Sequence, residues 1–188
     1  MGWLMEDARR WWAFTSMIVL LAAGWTWFSR VPVSVAGAGQ IPSPREGFPA
    51  PDFTLDTLDG AAATLSAYRG QVVIVNLWAS WCGPCRAEMP AIQNVYAANR
   101  ERGLTVLAVN GTFQDSEADA RAFARTYGLT FSILFDRDGA VSRRYLLRAL
   151  PSTFFVDRRG VIRSVVVGGP MSEAVLQSQI ESLLQEAP

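Results

Sequence analysis

Apolar side chains follow three different rhythms along the chain, and each predicts a different kind of element. From Trp11 to Phe28, eighteen consecutive residues (WWAFTSMIVLLAAGWTWF) carry no charge. Wound as a helix they would span about 27 Å, close to the hydrocarbon thickness of a bilayer. Trp11 and Trp12 stand at one end and Trp25 and Trp27 at the other, as in the aromatic belts where lipid meets water. A buried core helix would not confine its tryptophans to its two ends. Arg9 and Arg10 precede the run and only Arg30 follows it closely, so the positive-inside bias predicts a cytoplasmic N-terminus, residues 1–10, and an exported remainder. Cleavage of a signal peptide after Ala38 is the rival reading, because Ala36-Gly37-Ala38 fits the small-residue cleavage pattern. The length of the apolar run favours an uncleaved anchor, and either reading exports the C-terminal domain. Residues 29–50 are rich in Pro, Gly, Ala and Ser with no sustained period, and read as a flexible tether.

From Pro51 to Pro188 the rhythm changes to short apolar runs alternating with helical spacing. Phe53, Leu55 and Leu58, the turn signal Asp59-Gly60, and Ala63 to Leu65 predict a small hairpin. Gln71 to Trp78 (QVVIVNLW) is nearly all apolar and β-branched, as expected of a strand covered on both faces. Gly83 to Arg102 reads as a helix with Ala87, Ile92, Val95 and Tyr96 on an apolar side and a kink at Pro90. Leu104 to Val109 predicts a strand. Asp115 then opens a helix with Ala118, Ala122, Phe123 and Tyr127 at helical spacing, stopped by Gly128. Phe131 to Phe135 predicts a third strand, and a short helix comes next around Val141 to Tyr145. Ser152 to Val156 and Val161 to Val167 flank a turn at Asp157 to Gly160, and Ser172 caps a final helix striped by Val175, Leu176, Ile180, Leu183 and Leu184. Alternating strands and helices closed by a hairpin and a helix imply an α/β layer with a mixed central sheet.

Composition narrows the chemistry. Half the residues are apolar, and 17 basic residues balance 17 acidic ones. No basic stripe exists to neutralise phosphates, so nucleic acid is a poor partner. The chain has no histidine and only two cysteines. Cys-His and Ser-His nucleophile pairs, the usual His-containing metal sites and a four-thiolate zinc site within one chain are all excluded. No metal and no cofactor are expected.

Both cysteines lie in WASWCGPCRAEMP, where the strand ending near Trp78 meets the next helix. A helix N-terminus presents unpaired N–H groups and partial positive charge, which stabilise a thiolate. Cys82, at that turn, is therefore the candidate attacking sulfur, and Cys85, three residues on, is within reach to close a disulfide. A structural brace is the competing use, but a bridge across two intervening residues removes little unfolded-state entropy.

WASWCGPC resembles the thioredoxin active site, and residues 51–188 resemble the membrane-anchored TlpA/ResA group of that superfamily, with its AhpC/TSA-like redoxin domain. The resemblance is carried by Ala50 to Leu55, Arg69-Gly70, Asn76 to Ala79 with Trp81 to Cys85, Glu88-Met89-Pro90, and Leu150 to Phe154. It implies a thioredoxin-like fold with an N-terminal hairpin extension, with Cys82 as nucleophile, Cys85 as resolving cysteine and a redox disulfide between them. Pro151 matches a cis-proline that faces the disulfide and lets Leu150 pair with an extended substrate. Trp81, Gly83 and Pro84 would complete the contact surface, with Trp78 in the core. Asn76 stands where thioredoxin has a buried aspartate. Glu88 matches a glutamate near the active site of the TlpA/ResA group that tunes thiol pKa values and relays a proton.

The same resemblance implies an extracytoplasmic thiol-disulfide oxidoreductase. The Gly-Pro dipeptide is the one in thioredoxin, at about −270 mV, far from an oxidase such as DsbA at about −120 mV, which favours a reductant. Such a protein needs a CcdA- or DsbD-type membrane thiol transporter as electron donor. An apocytochrome c with an oxidised CxxCH site is the expected substrate. An oxidase or isomerase would use the same cysteines, and general envelope thiol reduction or copper-centre assembly the same fold. A peroxiredoxin-like peroxidase would have threonine where Ala79 stands, and a Sco-type copper carrier needs a histidine. A tethered adaptor would not need Cys82 at all.

Overall fold

A computed structural model of the chain describes residues 11–12, 15–22, 25 and 40–186. The described residues between Trp11 and Trp25 are helical. Among the described residues no helix is long and apolar enough to cross a membrane. Of the expected anchor over 11–28, residues 13–14, 23–24 and 26–28 lie outside the described residues, as do residues 29–39 of the expected tether over 29–50.

The elements of the domain are β1 (Thr54–Asp56), β2 (Ala62–Thr64), β3 (Val72–Trp78), α1 (Gly83–Asn99), β4 (Leu104–Asn110), α2 (Glu117–Thr126), β5 (Ser132–Phe135), α3 (Ala140–Arg144), β6 (Ser152–Val156), β7 (Ile162–Val167) and α4 (Glu173–Gln185). This is the thioredoxin-like α/β fold. Five strands form the central sheet in the order β5-β4-β3-β6-β7, with β1 and β2 as a separate hairpin. Strands β3, β4 and β5 are parallel, while β6 and β7 run antiparallel to their neighbours.

Alternation along β3 divides the core. Val72, Ile74 and Trp78 join the cluster containing the buried residues of α1 and α4, and Val73, Val75 and Leu77 join the one containing Phe53, Leu65 and Tyr145. The pleat places Asn76 on the same face as Ile74 and Trp78, toward α1. Every residue of β3 is buried, which explains why its run is apolar but for Asn76.

Both sheet edges are partly covered. The Leu58 N–H donates to the Ile133 carbonyl, and Thr57 bridges Leu134, so the hairpin's turn lies along β5. At the far edge Ile162 N–H donates to Phe48 O and Gly47 N–H to Ile162 O. Such short pairings shield an edge from further strand addition. They also show that the packed domain begins before Pro51: Ser43 N–H donates to Pro49 O, and Ala50 is buried with its N–H on Gly160 O.

Several helical expectations need correction. The buried side of α1 is Cys85, Glu88, Met89, Ile92, Val95 and Asn99, and Ala87 is exposed. Helical geometry that turns Cys85 inward also turns Glu88 inward, three residues on. Helix α1 continues through Pro90. In α2 the buried residues are Ala120, Phe123 and Ala124, not Ala118 or Ala122. The helix starts after Ser116, whose Oγ accepts the Asp119 N–H at 3.0 Å, so Asp115 precedes it. Val175 of α4 is exposed, while Leu176, Ile180 and Leu183 are buried. A small apolar residue at helical spacing is a weak marker of the inward face, because alanine is cheap to expose.

Candidate redox site

Cys82 is the N-cap of α1. Its Sγ accepts the Cys85 N–H at 3.2 Å, and Pro84 occupies the first turn, where no backbone donor is needed. The two cysteines are joined as a disulfide with their Cα atoms 5.3 Å apart. Cys85 is fully buried, whereas Cys82 retains 4% exposure and lines an open cleft. The outer sulfur is thus Cys82. The polarity follows from the helix: one cysteine caps it, and the other lies on its buried stripe.

The cleft has a volume of about 620 Å³, and Trp81, Gly83, Pro84 and Leu150 border it together with Cys82. The Leu150–Pro151 peptide bond is cis. Pro151 is buried, and its carbonyl accepts the Gly168 N–H at 2.8 Å. The structure therefore brings Trp81, Cys82, Gly83, Pro84 and Leu150 to one opening, although Leu150 is remote from the others in sequence. Trp81 is 58% exposed, with its Nε1 donating to Gln114 O at 3.0 Å. Trp78 is fully buried against Phe123, ring centroids 4.9 Å apart.

Beneath the cysteines lies a buried polar chain. Asn76 Nδ2 donates to Glu88 Oε1 and to Thr153 Oγ1, both at 2.9 Å, and the Met171 N–H donates to Glu88 Oε2 at 3.2 Å. Glu88 has no solvent exposure. Burial raises its pKa above the ordinary 4.5, opposed by the hydrogen bonds from Met171 and Asn76. It is not a solvated helix carboxylate. Asn76 Oδ1 has no hydrogen-bond partner among the described residues. Gly169 packs so closely here that a Cβ would lie 2.8 Å from Glu88 Oε2 and 2.9 Å from Pro151 Cγ, so any side chain at 169 would push against both.

A second polar centre holds the loop in front of Cys82. Asp115 accepts from Ser80 N–H (2.6 Å), Ser80 Oγ (2.7 Å), Asn110 Nδ2 (2.8 Å) and Ser116 N–H (2.9 Å). Its partial burial alone would raise its pKa, but these hydrogen bonds outweigh burial and hold it below the ordinary carboxylate value. The sequence offered Asp115 only as a helix opener, and nothing in its spacing marks a tie to Ser80, 35 residues away. Arg143, Arg148 and Phe113, which also border the cleft, carried no signal either. They lie in loops or at a short helix, where no period singles them out. Among the described residues no group of acidic or cysteine side chains is arranged to hold a metal.

A solvent-bordering sulfur at a helix N-terminus, a buried partner cysteine and a buried carboxyl one turn further on are suited to dithiol-disulfide exchange. Comparison with known proteins points the same way. Residues 47–165 match the AhpC/TSA family. The thioredoxin-like protein YneN of Bacillus subtilis is 38% identical over 162 residues, covering 85% of this chain and 91% of that protein. The thiol-disulfide oxidoreductase ResA of Geobacillus thermodenitrificans is 36% identical over 137 residues, 73% of this chain and 77% of its own length. A crystal structure of a secreted Mycobacterium tuberculosis disulfide oxidoreductase homologous to E. coli DsbE aligns with a TM-score of 0.63 and 28% identity, over 70% of this chain and 96% of that one.

Proposed function

The chain belongs to the AhpC/TSA family and is a thiol-disulfide oxidoreductase of the ResA/DsbE type with a Cys82–Cys85 redox pair, and on that footing we propose that it is a membrane-tethered reductant of disulfides in exported proteins. The observation that carries the direction of attack is the asymmetry of the pair: Cys82 borders the cleft and Cys85 is sealed beneath it. In the reduced protein the Cys82 thiolate, capped by the helix N-terminus, attacks one sulfur of a substrate disulfide. A mixed disulfide forms and the other substrate sulfur leaves as a thiolate that takes up a proton. Cys85 then loses its proton and attacks Cys82 Sγ, closing the Cys82–Cys85 disulfide and releasing the second substrate thiol. Two electrons pass to the substrate.

Glu88, buried one helical turn beyond Cys85, is the group that would take the Cys85 proton or return it, a role supported by the burial that holds its pKa above the ordinary 4.5. Trp81, Gly83, Pro84 and Leu150 form the contact surface, with Pro151 behind Leu150. An apocytochrome c with an oxidised CxxCH site is the proposed substrate, and a CcdA- or DsbD-type membrane thiol transporter the proposed electron donor. The location is supported by the charge-free run Trp11 to Phe28 with Arg9 and Arg10 before it, and by the secreted DsbE homologue. Tethering would keep the domain concentrated near both partners. Ala79, fully buried, supplies no hydroxyl for peroxide chemistry.

The test is a trap. In the host, Cys85→Ser should accumulate Cys82 in a mixed disulfide with an apocytochrome c, while Cys82→Ser captures nothing. Capture of no protein thiol by Cys85→Ser, or a reduction potential above about −180 mV, overturns the reductant reading.

A further inference from the structure

We propose that the cleft beside Cys82 selects disulfide-bearing segments with an acidic side chain next to the target cysteine, recognised by Arg143 and Arg148. This inference rests on the exchange reading above and adds a substrate class to it. The cleft, about 620 Å³, has an apolar part formed by Trp81, Phe113, Leu147 and Leu150. Among the described residues that line it, Arg143 and Arg148 are the charged ones, and none is a carboxylate. The charge is local, because the whole chain is formally neutral and the cleft on the other side of Trp81 is lined by both Arg86 and Asp119.

The two arginines are differently held. Arg143 donates from Nη1 to Asp138 O at 2.8 Å, which fixes the guanidinium and leaves its other N–H groups available. Arg148 is exposed and makes no hydrogen bond or ion pair among the described residues. An unpaired guanidinium presents a planar fork of donors that fits a carboxylate bidentately. Arg148 lies two residues before Leu150, so a segment extended along Leu150 toward Cys82 brings its cysteine-flanking side chains near the fork.

The loop that presents these groups has a defined shape. Leu147 N–H donates to Ser142 O and Leu146 N–H to Arg143 O, at 2.9 and 3.0 Å. Leu146 adopts a φ of +51°, and it is the non-glycine residue with positive φ among those described. A bulky residue in that region is uncommon and clusters at ligand-contacting loops. An apolar floor and an arginine rim without a lining carboxylate together specify an acidic polypeptide rather than a basic one.

The experiment uses the full chain in its dithiol form and two synthetic peptides, each with one intramolecular disulfide, identical except for Asp or Lys beside the cysteine. Stopped-flow reduction of the acidic peptide should be faster by about tenfold at low salt, with the ratio falling toward one at about 0.5 M salt. Arg148→Glu, at a side chain without partners among the described residues, should invert the preference, and Arg143→Gln with Arg148→Gln should abolish it. Equal rates for the two peptides, or a preference that survives the charge reversal, overturns this inference alone. Reduction of neither peptide overturns the exchange reading and this inference with it.

Discussion

At the scale of single residues, Glu88 shows how a charged letter becomes a buried proton site. Its position, one helical turn after Cys85, obliges it to face inward, and once there it needs donors, which Asn76 and Met171 supply. The unpartnered Asn76 Oδ1 adds a capacity: a half-turn of that amide would offer an acceptor to a protonated carboxyl, with the Thr153 hydroxyl donating to the same oxygen. The Glu88 carboxyl can therefore find a partner on Asn76 in either protonation state. Because the folded pKa lies above the ordinary 4.5, the native protein binds this proton more tightly than the unfolded chain. Its contribution to stability is fully present below pH 4.5 and is lost as pH rises through the folded value. Urea unfolding across that range should show the decline in the wild type, and Glu88→Gln, whose amide can pair with Asn76 in the turned-over orientation, should remove it. The resemblance to the TlpA/ResA group singled out Glu88, but periodicity did not, because a carboxylate on an apolar stripe contradicts the pattern that defines the stripe.

At the scale of elements, β3, β4, β5 and the β6–β7 hairpin were all legible, since short, largely apolar runs and an Asp-Arg-Arg-Gly turn have few other uses. Helix faces were less so: alanines at 87, 118 and 122 have the right spacing yet lie off the buried stripes. The connection between β4 and α2 was the least legible part, because its order comes from Asp115 reaching across to the Ser80 loop. That single carboxylate ties three pieces together: the loop before Cys82, the end of β4 at Asn110, and the N-cap of α2 at Ser116. Asp115→Asn would put an amide against donors, leaving at least one N–H without an acceptor, at a cost of about 1–3 kcal/mol. The same change should loosen the Trp81 loop, seen as a shift in tryptophan emission. It should also flatten the acid side of the stability profile, since Asp115, with its lowered pKa, stabilises the fold above the ordinary 3.8 and loses that contribution as pH falls through its folded value. An unchanged acid limb would mean that Asp115 is a bystander.

At the scale of the whole molecule, the site is assembled from the two halves of a sheet that switches direction between β3 and β6. The parallel half delivers the cysteines at the end of β3, and the antiparallel half delivers Leu150 and Pro151 at the start of β6, so the two meet at one end of adjacent strands. That convergence could be expected from the resemblance but not from any local pattern. The basic rim of the cleft was invisible for a different reason: arginines in irregular segments have no period to betray them. The 17 basic residues are all arginines, and histidine is absent, so no imidazole or lysine titration overlies the behaviour of the thiols and Glu88 between the acid and alkaline limits. This has a use. The Met171 amide, 83 residues beyond Glu88 in sequence, points at its Oε2, and that backbone proton is thereby a spectroscopic gauge of a carboxyl no solvent probe can reach. Its NMR shift should follow the loss of the Glu88 proton as pH is raised, and stay flat in Glu88→Gln, giving a readout of the buried proton in both the dithiol and the disulfide forms.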